Sequence, residues 1–333
     1  MARFECLLLR GRQVRPALLC APMCGLTHSA FRRLVADFGG YGALFTEMLS
    51  GDAVLHEDVQ SSPFTKRRAS EGLVIYQLLL SGKEPIASII KRLDQVEPAA
   101  IDLNLACPAP LIRKSGRGMS LFGDPERLRR VLGDIRSSWN GILTVKCRLG
   151  HDPETWQQHF EKRLRLFEGF EVDALHVHPR FFGEKLKRTA RHHLVGWIVR
   201  NTSIPVVANG DITPESLRWN GGFPVDGVSG IMLGRMAAVK PWVFLECLGQ
   251  RPEVDYAEVW GRFFAYVQED FPPERAIGRI KEFSAYYARN FFYGHEFLKG
   301  IQNTSTLEEA YERGMRFLDV RPRIVAQPSV AGM

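Results

Sequence analysis

Asn104 and Cys107 lie three residues apart in Asp102-Leu103-Asn104-Leu105-Ala106-Cys107-Pro108, where an apolar run that reads as a buried strand ends at a proline. In parallel α/β proteins the carboxyl ends of strands carry the chemistry, and here an amide and a thiol stand at one. A solitary cysteine is more often a small core hydrophobe, so its meaning depends on what stands at the neighbouring junctions. Gly210 and Gly234 follow two successive apolar runs, and glycine lets backbone N–H groups approach an anion such as phosphate. Asn209 and Asp211 flank the first glycine, and Arg235 adds a charged fork beside the second. Lys146 and His178 come from neighbouring runs and suit a negatively charged, electron-rich ring. A flavin fits, because a cation near N1 and the C2 carbonyl stabilises its reduced form. Gln77 can add an amide hydrogen bond at the ring edge, whereas His176, on the same strand face as His178, reads as a core histidine.

Eight apolar runs must position these groups: residues 17–20, 43–46, 73–79, 100–105, 142–147, 174–177, 206–208 and 228–233. The first ends in Ala21-Pro22-Met23-Cys24 and the second in Thr46-Glu47-Met48; Arg148 and Arg180 follow the fifth and sixth. Amphipathic segments intervene over 28–38, 84–96, 125–137, 155–170 and 188–200. Asp124-Pro125 is a good helix start, an N-cap acid before proline at the first helical position, and Thr213-Pro214 offers another. Eight strands alternating with helices over roughly 240 residues predict a (β/α)8 TIM barrel. A doubly wound sheet is the competing α/β architecture, but no Gly-x-Gly-x-x-Gly follows the first strand. Beyond Trp242 the pattern turns helical and rich in Phe and Tyr, over 256–268, 273–293 and 307–318. The predicted organisation is a barrel over 1–244, a small helical domain over 245–320 and a flexible tail over 321–333.

With 45% hydrophobic and 24% charged residues, the chain has a globular composition rather than a disordered or fibrous one. No apolar run is long enough to span a bilayer, and residues 1–16 interleave arginines with apolar side chains unlike a signal peptide. Six scattered cysteines, with Cys20 and Cys24 lacking a matching second pair, argue against a zinc site and for the reducing cytoplasm. A net charge of +7 points to a polyanionic partner. The basic clusters are Lys66-Arg67-Arg68, Arg113-Lys114 with Arg117, residues 185–191, and Arg262, Arg275, Arg279, Lys281, Arg289 and Lys299 of the helical part.

Together these residues resemble the tRNA-dihydrouridine synthases, flavin enzymes that reduce the C5=C6 bond of a D-loop uridine. The matching pieces are Ala21-Pro22-Met23, Phe45-Thr46-Glu47-Met48, Gln77-Leu78, Asp102-Leu103-Asn104 with Cys107-Pro108, Val145-Lys146-Cys147-Arg148, His178 with Arg180, Asn209-Gly210-Asp211 and Gly234-Arg235. The resemblance implies an FMN held by Pro22, Met23, Cys24, Gln77, Lys146, His178, Asn209, Gly210, Asp211, Gly234 and Arg235, with NADPH as reductant. It implies hydride delivery to uracil C6 and a proton from Cys107 to C5, a role that suits a thiol mostly protonated at neutral pH. Asn104, Glu47, Arg148 and Arg180 would contact the substrate, whose base must leave its stack. The helical domain would grip tRNA phosphates and shape, and the enzyme would act as a cytoplasmic monomer.

Three departures from the family pattern fall in loops. Ala106 replaces the usual glycine before the cysteine, Gly118-Met119-Ser120-Leu121-Phe122 replaces a Gly-Ala-leucine run, and His178-Pro179-Arg180-Phe181 replaces His-Gly-Arg-Thr. A left-handed backbone at 106 would strain alanine. The rival readings are an FMN-dependent dehydrogenase of a free pyrimidine, an idle flavin- and RNA-binding protein, and a flavin-free barrel using Lys146 as a Schiff-base amine. A basic helical domain has no use in the first, and Cys107 is unexplained in the last.

Overall fold

The structure, a computed structural model, describes residues 4–184, 188–218 and 226–330. Eight parallel strands close into a barrel: β1 (Leu18–Cys20), β2 (Ala43–Phe45), β3 (Val74–Leu79), β4 (Ala100–Leu105), β5 (Leu143–Arg148), β6 (Ala174–His178), β7 (Val206–Asn209) and β8 (Gly230–Leu233). Closure is explicit in the register, Ile231↔Leu18 joining β8 to β1 and Leu44↔Val74 joining β2 to β3. All eight lie within one or two residues of the positions predicted from apolar runs. A doubly wound sheet is thereby excluded.

Alternation along the strands sorts two environments. Leu18, Leu44, Val74, Tyr76, Ile101, Leu103, Val145, Leu175 and Ile231 pack outward in a core shared with the helices. The opposite faces begin apolar, with Leu19, Phe45, Ile75, Ala100, Ile142, Ala174 and Val207 gathered over the N-terminal hairpin (Leu7–Leu9 with Arg12–Val14). Two residues further along the same faces the side chains become polar: Gln77, Asp102, Thr144, His176 and Asn209, all buried. The next positions are Asn104, Lys146 and His178. The barrel is therefore plugged by hydrocarbon at one end and polar at the other, which is the end that can hold a ligand.

The surrounding helices follow their capping signals. Asp124 accepts from the Arg127 N–H at 3.0 Å and starts Pro125–Ser138, and Pro214–Arg218 starts at the expected proline. The expected helix over 188–200 is shorter, Val195–Arg200 after a 3-10 turn at His192–Leu194. The missing turns are kept out of the helix because the Arg188 carbonyl accepts from Arg180 Nε and the Ala190 N–H donates to Asp211. Part of the basic cluster there, residues 185–187, lies outside the described residues.

Helices Tyr256–Asp270, Pro273–Tyr287, Gly294–Gln302 and Leu307–Leu318 form the C-terminal part. The helix expected over 273–293 stops at Tyr287 with a 3-10 turn at Ala288–Asn290, because Phe291 bridges Ile324 and the Phe292 N–H donates to the Arg323 carbonyl. Gly294–Gln302 is a further helix that the sequence pattern did not single out. Residues 321–330, expected as a free tail, run back to the barrel mouth, where the Val330 carbonyl accepts from Arg235 Nη1 at 2.7 Å. Among the described residues no helix is long and apolar enough to cross a membrane. Lys66 and Arg68 turn inward, pairing with Asp270 at 2.6 and 2.7 Å to clamp the helical part to the barrel.

His28, at the start of Ser29–Phe38, is fully buried with neither ring nitrogen hydrogen-bonded. It meets Phe271 edge-on at 4.9 Å, at the same junction. Burial, reinforced by Arg279 and Arg32, pushes its pKa down to about 3. Because the folded value lies below the unfolded one, the unfolded chain takes up the extra proton as pH falls below about 6.5, and stability declines by up to about 1.4 kcal/mol per pH unit. Urea midpoints from about pH 7.5 to about pH 5 should fall in the native protein and less steeply in His28→Leu. Parallel slopes in the two proteins would place the acid sensitivity elsewhere.

Candidate active site

Pro22, Met23, Lys146, Arg148, His178, Asn209, Gly210, Asp211, Gly234 and Arg235 line one cleft of about 700 Å³ at the carboxyl ends of β1, β5, β6, β7 and β8. Ten residues placed there from separate strand ends thus meet in one space. Ile212, Met232, Met236 and Val330 supply apolar lining.

Lys146 is 8% exposed and has no hydrogen-bonded or ionic partner among the described residues. Burial, then the Arg148 charge, lowers its pKa to about 8. An ammonium so placed costs the empty protein free energy that an electron-rich ligand would offset. Arg148, also buried, donates from Nη1 to the Glu184 carbonyl at 3.2 Å and leaves Nε without a partner. Its pKa is lowered by burial and by Arg180.

His178 is held neutral, its pKa driven well down by burial and then by Lys146, Arg148 and Arg180. Its Nε2 meets Arg180 Nη1, so the ring accepts there and its proton sits on Nδ1. His178 therefore brings a hydrogen bond to the cleft and no charge. Arg180 lies behind it, 1% exposed, donating to the Arg188 carbonyl and to Asp211 Oδ2 at 2.5 Å. Asp211 adopts φ +51° and joins Arg180 to Arg235, whose Nη2 donates to Oδ1 at 2.9 Å. Burial raises the Asp211 pKa, but these donors outweigh it and the net shift is downward. Asp211 thus lines the cleft while its carboxylate holds the two arginines in place.

The two glycines differ in kind. Gly210 has φ +106°, and a Cβ there would come within 2.7 Å of the His178 ring, so the protein itself requires glycine. A Cβ on Gly234 would meet only ordinary contacts, Ala21 at 3.5 Å and Met23 at 3.6 Å. Its bareness leaves room for an occupant. Asn209 ties β7 to β8 through Nδ2 to the Met232 carbonyl at 2.9 Å.

Cys107 is half-buried at the edge of this space and lies within electrostatic reach of Lys146, Arg148 and Cys24. Its turn is pinned by Asn104 Oδ1, which accepts from the Ala106 and Cys107 N–H groups at 3.1 and 3.0 Å. Ala106 is not among the residues of positive φ, so alanine is unstrained there. Gly118, at φ +59°, is required by the same turn, since a Cβ would lie 2.8 Å from the Cys107 carbonyl oxygen. Asn104 Nδ2 donates to Gln77 Oε1 at 2.8 Å, and Gln77 Nε2 to Asp102 Oδ2 at 2.7 Å. Gln77 is 1% exposed and serves this chain rather than lining the cleft.

Cys24 and Glu47 sit where the mouth meets helix Pro273–Tyr287. Glu47 Oε2 accepts from the Gly25 N–H at 2.8 Å, while Oε1 is buried without a partner. Burial raises the Glu47 pKa, with the Gly25 N–H opposing it. Burial and the Glu47 charge also raise that of Cys24. Sequence reasoning gave no role to Asp102, Thr144 or Val330. The first two were marked by polar residues recurring at every second position of β4 and β5; nothing in the sequence marked Val330.

The donor set fits a flavin phosphate ester: an unpartnered buried cation, a neutral histidine and an unencumbered glycine next to an arginine. Barrel and cleft define a (β/α)8 protein whose strand-end site has room and charge for a flavin. The fold is shared with an old yellow enzyme homologue from Zymomonas mobilis at a TM-score of 0.54 and 12% identity, covering 78% of this chain and 96% of that one. The family model described as Dihydrouridine synthase matches residues 19–310, and the chain belongs to that family. Relatives include tRNA-dihydrouridine synthase B of Shewanella oneidensis, 32% identical over 70% of this chain and 71% of the relative. The Escherichia coli K12 protein of the same name is 28% identical over 77% of this chain and 81% of its own.

Proposed function

We propose that this protein reduces uridine to dihydrouridine in tRNA, holding FMN in the cleft, taking electrons from NADPH and using Cys107 as general acid. Lys146 carries the reading: a buried, unpartnered ammonium beside a half-buried thiol at one barrel mouth. FMN, when bound, supplies the hydride for uracil C6. Lys146 binds the electron-rich edge of the ring, neutral His178 donates from Nδ1, and Gly234 with Arg235 receives the phosphate. Pro22, Met23 and Asn209 wall the cofactor in, and Gly210 gives His178 its room.

At the substrate, Cys107 Sγ gives its proton to C5 as the double bond is reduced, and the thiolate left behind lies near Lys146 and Arg148. Asn104 and Glu47 border the space a flipped uracil must enter, and Glu47 Oε1 has hydrogen-bonding capacity unused by the protein. Exposed Arg113 and Lys114 beside the Cys107 turn, with exposed Arg275, Arg289 and Lys299 on the helical part, are available to tRNA phosphates. The protein acts as a cytoplasmic monomer in this reading.

The test is direct. Denatured protein should release FMN; NADPH should bleach the bound flavin, and tRNA lacking dihydrouridine should restore its colour while gaining dihydrouridine. Colourless protein that takes up no FMN would sink the proposal. Reoxidation by free uracil but not by tRNA would move it to the pyrimidine dehydrogenases.

A further inference from the structure

Asp102 is fully buried inside the barrel, in β4, and accepts three hydrogen bonds. Thr144 Oγ1 donates to Oδ1 at 2.7 Å, His176 Nδ1 lies 3.2 Å from the same oxygen, and Gln77 Nε2 donates to Oδ2. From Gln77 the chain continues through Asn104 to the backbone of Ala106 and Cys107. It thus links a carboxylate in the barrel interior to the turn that carries the thiol.

Both ends of this chain have fixed polarity, and the two amides between them do not. A carboxylate can only accept, and a backbone N–H can only donate. Gln77 must therefore turn Nε2 to Asp102 and Oε1 to Asn104. Asn104 must then turn Nδ2 to Gln77 and Oδ1 to the two N–H groups. Each amide has one arrangement that satisfies both neighbours, and each sets the next. Exchanging Asp102 for asparagine breaks this logic without changing shape. Thr144 and His176 would claim the new Oδ1, leaving an NH2 group against Gln77. Gln77 would turn over to accept, Asn104 would follow, and its NH2 would then face the donors of Ala106 and Cys107. The arrangement that avoids this collision turns the new NH2 to Thr144 and His176, which makes the Thr144 hydroxyl accept and moves the His176 proton from Nδ1 to Nε2. That buried nitrogen has no partner, so a donor is orphaned in a dry interior.

We propose that Asp102 is a positioning residue: its acceptor-only carboxylate, acting through Gln77 and Asn104, orients the turn that presents Cys107 to the substrate. The inference rests on Cys107 being the proton donor. Asp102 touches neither substrate nor cofactor in this scheme; it selects one of two amide orientations.

The experiment uses full-length holoprotein and two readouts, the carbamidomethylation rate of Cys107 by iodoacetamide, read by peptide mass spectrometry, and single-turnover flavin reoxidation by tRNA. Asp102→Asn should change the alkylation rate by about fivefold or more and slow reoxidation by about tenfold or more. FMN content and flavin reduction by NADPH should stay close to native. Thr144→Val removes one donor but leaves the carboxylate's polarity intact, so both readouts should remain within about twofold. Decisive is the double variant Gln77→Glu with Asp102→Asn, which moves the acceptor-only group one link along. The amide introduced at position 102 can then donate to the new carboxylate, which still accepts from Asn104. Alkylation should return toward the native rate, and if Asp102→Asn alone does not fold, the double variant should.

Native behaviour of Asp102→Asn, an equal loss in Thr144→Val, or no recovery in the double variant would each overturn the proposal. Cys107→Ala separates this from failure of the underlying reading. Full turnover without the thiol would refute the acid role, whereas lost turnover there with native Asp102→Asn would refute the positioning role alone.

Discussion

Cys107→Ala is expected to slow flavin reoxidation by tRNA by about 10² to 10⁴-fold, the usual contribution of a positioned general acid. Reduction by NADPH and FMN content should be unchanged, because the thiol borders the cleft without lining it. The size of the effect follows from what surrounds the group. A proton delivered to C5 leaves a thiolate, and Lys146 and Arg148 both lie within electrostatic reach of that sulfur. Water entering the cavity left by the side chain is a far weaker acid than a thiol and has no fixed position. Asn104 holds the turn by its backbone N–H groups, so alanine keeps the local structure and the variant isolates the chemistry. Cys107→Ser preserves the volume but offers a far weaker acid, and should resemble alanine rather than the native enzyme. Stopped-flow reoxidation under anaerobic conditions measures this step; a native rate in Cys107→Ala would remove the acid role.

Groups close to a strand end along the chain were legible, because alternation and a helix or strand stop locate them. Asn104, Cys107, Lys146, His178, Gly210 and Gly234 were found that way, and the register of β4 with β5 and of β5 with β6 shows why: Asn104 faces Lys146, and Arg148 faces His178. What these residues do once assembled was less legible. Arg180 and Asp211 look like ligand groups in the sequence; in the fold Arg180 is buried, and Asp211, at the cleft wall, also binds two arginines, a structural task the sequence did not show. Pairings between residues 31 and 24 positions apart leave no local signal. The same holds for the helix expected over 188–200, which lost its first turns to hydrogen bonds with Arg180 and Asp211. Lys66 and Arg68 looked like part of an RNA-binding patch and instead close an ion-pair clamp on Asp270. Charge clusters report composition, and only packing tells which charges are already neutralised.

Lys146→Met should weaken FMN binding by about 10- to 100-fold, the worth of one charge-assisted hydrogen bond in a desolvated site. It should also stabilise the flavin-free protein. Burial holds the folded pKa near 8, below the usual 10.5, so at neutral pH the empty cleft bears an ammonium that water would solvate better. The sign follows from proton uptake. Between about 8 and 10.5 the unfolded chain binds the extra proton, so the native apoprotein gains stability as pH rises through that window; below it the full cost, about 3 kcal/mol, is present. Methionine keeps most of the aliphatic stem and removes the charge. Melting of the apoprotein near pH 7 should therefore rise in the variant, while the added stability from saturating FMN shrinks. Affinity carries its own signature. Native binding should weaken above about pH 8 as Lys146 loses its proton, and Lys146→Met should show a flatter profile at lower affinity. Fluorescence titrations of FMN near pH 7 and pH 9 separate the two. A variant that binds FMN within twofold of native at both pH values would show that the buried ammonium serves something other than the flavin.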